Sequence, residues 1–194
     1  QVPVMSKSNV TWEGETATAK DGAGTFSHVT LSPKRLTAFV DISKQMIAQD
    51  SVDFESAIRE DLVNAINCKL EETVLGATAG SATQPAGIFA TIKPTAVADF
   101  AALVNKESDV EDANVIGECK YILSNKAKAA LRSMSKGTKS TQLVYENGSV
   151  DGTVALNTSN VAGKNYVYGD FSNLAIGSWG GVDLTVDPYT KAAD

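Results

Sequence analysis

Residues 50–76, DSVDFESAIREDLVNAINCKLEETVLG, form the longest stretch with helical periodicity in the sequence and decide its fold. Apolar residues recur there at three- and four-residue steps, which gathers them on one half of a helix and leaves acids and amides on the other. The apolar positions are Phe54, Ile58, Leu62, Val63, Ala65, Ile66 and Leu70. The pattern predicts one amphipathic helix of about 36 Å that lies along a sheet or neighbouring elements.

The ends of this predicted helix are marked by local signals. Asp50 or Ser51 can cap the first amides, and Asp53 and Glu55 sit where the positive end of the helix dipole favours acids. Gly76 can adopt the left-handed conformation that stops a helix.

Residues 9–42, which precede the helix, predict a projecting two-armed hairpin. The first arm spans residues 10–18 and the second is strand-like over residues 25–31 and 35–42. Between the arms, residues 20–24 (KDGAG) are a strong turn signal, because Asp-Gly and Gly accept positive φ at low cost. Ser43 is the predicted cap of a short helix that ends at Gln49.

The second half of the chain predicts strands and helices intermingled without regular βαβ units. Thr95 is the predicted cap of a helix over residues 96–104, and Ser124 the predicted cap of a helix that presents Ala127, Ala130, Leu131 and Met134 on one side. Short strands are predicted at residues 121–123, 142–145, 153–156, 166–168, 174–176 and 182–186. This order predicts an α+β fold with a mixed sheet.

Composition narrows the classes of function. Lys and Arg number 17 against 23 Asp and Glu, so the formal net charge is −6. Binding to nucleic acid by counterion release needs clustered basic residues, and only short clusters occur, at residues 34–35 and 126–139. Sequence-specific nucleic-acid binding is therefore not predicted. No apolar run approaches the roughly 18 residues of a membrane span.

Residues suited to catalysis are sparse. His28 is the only histidine and lies in a strand-like run, which favours a surface strand residue over a general base. Cys68 and Cys119 are far apart in the sequence and are predicted to be free thiols, and one His with two isolated Cys cannot close a zinc site. The sequence therefore predicts no catalytic residue, no metal site and no cofactor, and hence a protein that is not an enzyme.

Three blocks in this order resemble the major capsid proteins of tailed bacteriophages, whose Hong Kong phage type fold is shared with encapsulin compartments. They are residues 31–88 (LSPKRLTAFVDISKQMIAQD through SATQPAGI), 121–134 (YILSNKAKAALRSM) and 166–187 (YVYGDFSNLAIGSWGGVDLTVD). The resemblance covers most of residues 9–187 and rests on the order and spacing of the blocks.

The resemblance implies four regions. Residues 1–42 would be an N-terminal segment and an extended hairpin loop that reaches over a neighbouring subunit, and residues 43–86 a peripheral domain with the long helix as its spine. Residues 87–187 would be an axial domain with a mixed sheet and flanking helices, and residues 188–194 a truncated return toward the peripheral domain. Because family members continue past this point, the chain is expected to be a trimmed piece.

The resemblance also implies a function. The chain would be a structural subunit of an icosahedral phage or prophage capsid, self-assembling through hexamers and pentamers around packaged DNA, in the virion and in the cytoplasm of a bacterial host. Further partners would be a scaffold or a maturation protease. Binding to a membrane is not expected. The candidate contact residues between subunits are Trp12, Lys20, Asp21, Gly22, Gly24, Glu60 and Glu71.

Two alternatives stay open from the sequence. An encapsulin-like compartment would use the same fold to enclose a cargo enzyme. A ligand-binding or adhesive module, from a different class, is suggested by short glycosylation sequons and by Trp179 among glycines. Lys20 lies near the predicted hairpin tip, where some relatives form a lysine–asparagine cross-link, but no asparagine or acid can be assigned to that chemistry here.

Overall fold

The computed structural model describes residues 1–18, 20–42, 54–137, 139–181, 183 and 185. These residues form two compact units. One comprises Gln1–Pro33 with Ala175–Val186, and the other contains Lys34–Leu174. The predicted short helix at residues 43–49 lies outside the described residues.

The first unit contains a two-stranded antiparallel hairpin, built from β1 (Val2–Met5) and β2 (Phe26–Val29). The second predicted arm is confirmed at β2, whereas the predicted first arm at residues 10–18 is not a strand. Val2–Met5 pairs with β2 instead, and backbone bonds from Ser6 to Thr25 and from Asn9 to Gly22 extend the pairing. The described residues of the connection, 10–18 and 20–21, form no strand, and the predicted turn lies partly within the second arm.

The strand predicted at residues 35–42 is also absent, since these residues are described without regular secondary structure. Phe39 is 75% exposed, and Leu36 and Val40 are exposed as well. Apolar and polar residues alternate along this segment, but no strand among the described residues pairs with it. A strand needs such a partner for its backbone N–H and C=O groups.

The predicted long helix is confirmed as α1, Phe54–Val74, while its predicted caps, Asp50 and Ser51, lie outside the described residues. Its predicted packing along a sheet is not observed, because Val63 and Leu70 on the apolar side are 42% and 49% exposed. Its predicted stop at Gly76 has a different cause, because Gly76 is not among the glycines with positive φ. The chain folds back after the helix, and Phe89 N donates to Gly76 O at 3.0 Å. A Cβ on Gly87 would lie 2.1 Å from the same carbonyl oxygen. Close packing of the two segments thus explains the glycine at position 87.

The second unit is organised around a six-stranded mixed sheet in the order β3–β8–β4–β7–β6–β5. All neighbouring strands are antiparallel except the central pair β4 and β7, which are parallel. The strands are β3 (Thr95–Ala96), β4 (Cys119–Ser124), β5 (Tyr145–Glu146), β6 (Ser149–Val150), β7 (Thr153–Thr158) and β8 (Asn165–Asp170). The α+β prediction is confirmed, and predicted strands at 121–123, 153–156 and 166–168 lie within β4, β7 and β8.

Two predicted strands do not match the sheet. Residues 142–145 contribute only Tyr145 to β5, although Leu143 forms an isolated bridge with Ser135. Residues 174–176 are described without a strand, and the strand predicted at 182–186 lies largely outside the described residues.

Two further helices lie in this unit, α2 (Phe100–Glu111) and α3 (Asn125–Ser133). The prediction of Ser124 as a cap is confirmed, because its Oγ accepts from Ala127 N at 2.9 Å. Thr95 is not a cap but belongs to β3, and Asp99 caps α2 by accepting from Ala102 N at 2.7 Å. The helix therefore begins four residues later than predicted.

The central strand β4 packs on both faces of the sheet, as the alternation of its side chains shows. Tyr121 and Leu123 are buried against residues of α2 and α3, including Leu103 and Leu131. Ile122 packs on the other face in a smaller cluster, whose buried members are Leu75, Phe89, Val161 and Val167. The core of the second unit is thus a central strand with helices on one face and the end of α1 on the other.

Candidate functional site: exposed contact surfaces

The loop of the hairpin holds most of the candidate contact residues. Lys20 Nζ lies 3.3 Å from Glu13 Oε1, and Asp21 Oδ1 accepts from Ala23 N at 2.9 Å. An open cleft of about 360 Å³ lies beside them, lined by Asn9, Val10, Thr11, Glu13, Lys20 and Gly22. The surface ion pair contributes little to stability, so Lys20 can exchange it for another partner.

Gly22 lies opposite Asn9, and Gly24 lies opposite Ser6, in the segment that extends β1. Neither glycine is at the tip of the loop. A Cβ on Gly22 would meet Asn9 O at 2.1 Å, and a Cβ on Gly24 would meet Ser6 O at 2.2 Å. Any side chain at these positions would push the two backbones apart. The glycines therefore shape the hairpin, and their expected role as contact residues is at most indirect.

Trp12 is the most exposed large side chain of the hairpin unit, with its indole fully in solvent. Val10 is 89% exposed and Phe26 is 78% exposed in the same unit. Aromatic side chains contribute strongly to protein interfaces, since each buries a large apolar area when it is covered. This exposed apolar set, Val10, Trp12 and Phe26, is named the hairpin patch.

The two helical candidates differ in their surroundings. Glu60 is exposed on α1, whereas Glu71 accepts a hydrogen bond from the Thr158 hydroxyl at the end of β7. Leu70, one residue before Glu71, is 49% exposed. Glu71 thus has a role within the chain, which its sequence pattern did not indicate.

A carboxylate–tyrosine group under α2 was not predicted from the sequence. The buried Tyr121 hydroxyl donates to the Glu107 carboxylate, and the Tyr168 hydroxyl donates to Glu111 Oε1 at 3.4 Å. Burial raises the pKa of Glu107 above its usual 4.5, although the Tyr121 hydrogen bond acts in the opposite direction. Burial and the bond to Glu107 also raise the pKa of Tyr121, so this phenol stays protonated. The group attaches α2 to the sheet.

An open groove of about 460 Å³ lies between α3 and the β5–β6 turn. Its lining residues are Lys128, Arg132, Leu143, Tyr145, Glu146 and Asn147. Lys128 Nζ donates to Asn157 Oδ1 at 3.0 Å and lies 5.7 Å from the centre of the Tyr145 ring. The turn itself is tight, with positive φ at Asn147 and Gly148, as the Asn-Gly pair predicts. Two of the lining side chains, Lys128 and Arg132, are basic and one, Glu146, is acidic, and this site is named the basic groove.

The residues considered for catalysis are not brought together. His28 lies in β2 opposite Pro3, Cys68 is exposed on α1, and Cys119 is half-buried at the start of β4. Within residues that the structure describes, no three His, Cys, Asp or Glu side chains are placed to hold a metal ion. The described helices also include none that is both long and apolar enough to cross a bilayer.

Trp179, the residue behind the ligand-binding alternative, is partly packed. A Cβ on Gly177 would lie 2.9 Å from its ring and 3.1 Å from Leu31. The ring is 57% exposed. Its glycine neighbour therefore accommodates local packing.

The described surface is that of a protein with exposed patches suited to protein contacts. In the described residues, the side chains considered for catalysis are not brought together. Comparison with known proteins agrees with this description. The model of the phage capsid family matches residues 1–194, and the chain belongs to that family.

One curated relative extends this comparison. The chain is 28% identical over 195 residues to the major capsid protein of Halomonas phage phiHAP-1. The alignment covers 97% of this chain and 32% of that protein. The chain therefore spans about a third of the length of the relative it matches.

Proposed function

We propose that this chain is part of the structural subunit of a phage or prophage capsid, whose copies assemble into an icosahedral shell around packaged DNA. The observation that carries the proposal is the match of the whole chain to the phage capsid family. Assembly from hexamers and pentamers, in the cytoplasm of a bacterial host with a scaffold or maturation protease, belongs to the same proposal.

The fold supports a division of labour of the Hong Kong phage type. The hairpin unit would supply the extended loop, α1 the spine of a peripheral domain over residues 43–86, and the six-stranded sheet an axial domain over residues 87–187. Residues 188–194 would begin the return to the peripheral domain. Support comes from the order of these elements along the chain and from the length of α1.

Exposed apolar groups support assembly through protein contacts. A stable interface buries about 800 Å² on each partner and is anchored by a few aromatic or long side chains. The hairpin patch supplies such anchors, and Ile116 on the second unit is 96% exposed. Trp12, Lys20 and Asp21 are therefore retained as proposed contact residues, with Glu60 on the exposed side of α1.

The experiment is negative-stain electron microscopy of the protein at full length, co-expressed with any neighbouring scaffold or protease gene. Uniform closed shells are expected. Trp12→Ala should reduce their yield about tenfold, since one buried anchor contributes more than about 1.4 kcal/mol. Trp179→Ala, which removes the same ring elsewhere in the unit, is the matched control. Monomers under all conditions would contradict the proposal.

A further inference from the structure

Two neighbouring segments of the second unit carry opposite charge. Residues 107–118 contain five acids and no Lys or Arg, namely Glu107, Asp109, Glu111, Asp112 and Glu118. Residues 125–139 contain five Lys or Arg and no acid, namely Lys126, Lys128, Arg132, Lys136 and Lys139. Mixed surfaces normally intersperse the two signs, so a separation of this kind needs a physical reason.

Folding of the isolated chain supplies only part of that reason. Arg132 lies in the last turn of α3, where the helix dipole favours a cation, but the charges at two other helix ends oppose their dipoles. Asp109, Glu111 and Asp112 lie at the negative end of α2, whose last turn has no basic residue. Lys126 and Lys128 lie at the positive end of α3, whose first turn has no acid. Each such placement disfavours the helix. A cation placed near the end of α2, or an anion placed near the start of α3, would offset this unfavourable interaction with the helix dipole.

Within the chain, the two segments do not neutralise each other. Asp109 pairs with Lys106 at 2.6 Å, and Lys136 pairs with Asp151. In the described part of the molecule, no ion pair joins residues 107–118 to residues 125–139. The side chain of Arg132 is exposed at the groove and forms no hydrogen bond or ion pair with the side chain or backbone of any described residue.

The two charged surfaces lie on different halves of the sheet. The basic groove is formed by α3 with β5, which is one edge of the strand order. The α2 helix contacts β8, the strand next to the opposite edge, and Glu111 reaches Tyr168 of that strand. Both helices lie on the same face of the sheet, because Leu103 and Leu131 share one core cluster. The surfaces therefore cannot close on each other within one chain but can meet between neighbours.

We propose that the basic groove receives the acidic C-terminal end of α2 from a second copy of this chain. The inference rests on the proposed function and names the contact that would join adjacent subunits. The two contacting surfaces differ, so the interface is heterologous and leads to a ring when its rotation closes. Arg132 is the central cation, and Asp112, which is exposed at the C-terminal end of α2, is its counterpart.

The test is a charge-reversal cycle in the protein at full length. Arg132→Glu and Asp112→Lys are each expected to lower the yield of shells at least tenfold, because like charges meet across the contact. The double variant Arg132→Glu/Asp112→Lys restores the attraction and should recover most of the yield. Lys164→Glu makes the same charge change at an exposed site away from the groove and should leave the yield within about twofold. Circular dichroism of each variant confirms that it folds.

The outcomes separate this inference from the proposed function. If the unmodified protein forms no shells, the proposed function fails. If it forms shells and both single reversals assemble normally, the contact is wrong while the function stands. Single reversals that fail without recovery in the double variant also overturn the pairing. Loss in both single variants with recovery in the double variant supports it.

Discussion

At the scale of single residues, the central strand offers a direct measure of the core. Leu123 in β4 is fully buried, whereas Leu156 in the adjacent β7 is 58% exposed. Leu123→Ala should lower the free energy of unfolding by about 2–5 kcal/mol, since it removes apolar contacts and leaves a cavity. Leu156→Ala should cost less than about 1 kcal/mol. Urea unfolding of both variants measures the difference, and equal losses would contradict the assigned faces of the sheet.

The Glu107 carboxyl is expected to make the free energy of unfolding depend on pH. Its pKa is raised in the folded chain, chiefly by burial, so the folded state holds this proton more tightly than the unfolded state. Stability from this group is therefore present below pH 4.5 and is lost as the pH rises through the raised pKa. Glu107→Gln removes this loss, so the variant should gain stability relative to the parent across that window. Urea unfolding from pH 4 upward checks the sign.

Glu111→Gln is the matched control for that measurement, because it makes the same change on the same helix at an exposed carboxyl. A pH dependence that is unchanged in Glu107→Gln would show that the carboxyl does not titrate between the two states as the structure indicates.

At the scale of elements, the start of α3 depends on one hydroxyl. Ser124 Oγ accepts from Ala127 N and donates to Gly163 O at 2.7 Å, and the residue is 2% exposed. Ser124→Ala loses the cap and leaves a carbonyl without its donor, so a loss of about 1–3 kcal/mol is expected. Ser133→Ala, at the exposed end of the same helix, should stay within about 0.5 kcal/mol. Thermal unfolding followed by circular dichroism compares them.

Leu75, the residue that follows α1, and Leu70 within α1 allow a second comparison. Leu75 is 7% exposed beneath the sheet, and Leu70 is 49% exposed. Leu75→Ala should lower the free energy of unfolding by about 2–5 kcal/mol, whereas Leu70→Ala should cost under about 1 kcal/mol. Chemical unfolding of the two variants tests whether α1 is attached mainly through its C-terminal end. A larger loss for Leu70→Ala would indicate that its apolar face is covered in solution.

Elements with strong local signals were predicted from the sequence, and those that depend on distant partners were not. The period of α1, the cap at Ser124 and the Asn147-Gly148 turn are set by neighbours within a few residues. The first arm of the hairpin was misplaced because pairing depends on which residues lie opposite β2, and Val2–Met5 compete with residues 10–18 for that position. The exposure of the hairpin patch could not be predicted either, since it depends on which distant segments of the chain pack against these side chains.

At the scale of the whole molecule, the two units should differ in amide protection. The hairpin has two strands, and all four residues of β2 are exposed, whereas β4 is paired on both sides and covered on both faces. Isolated hairpins are marginally stable in water, and buried central strands open only with global unfolding. Hydrogen exchange by mass spectrometry should find fast exchange in residues 2–29 and the slowest exchange in β4. Equal protection would contradict this ranking.

The family of the chain could be predicted from three sequence blocks, but its candidate contact surfaces could be predicted only in part. Trp12 and Lys20 are exposed as expected, whereas Gly22 and Gly24 bring two backbones together and Glu71 bonds Thr158. The basic groove combines α3 with a turn some fifteen residues later, and only the folded sheet brings them side by side.

The division into two units also separates the chain's chromophores. Both tryptophans of the sequence, Trp12 and Trp179, belong to the hairpin unit, and the four described tyrosines belong to the sheet unit. Fluorescence excited at the red edge of the absorption band therefore reports on the hairpin unit alone. A blue shift of that emission on mixing subunits would follow burial of an indole of this unit in real time, and its loss in Trp12→Ala would assign it to Trp12.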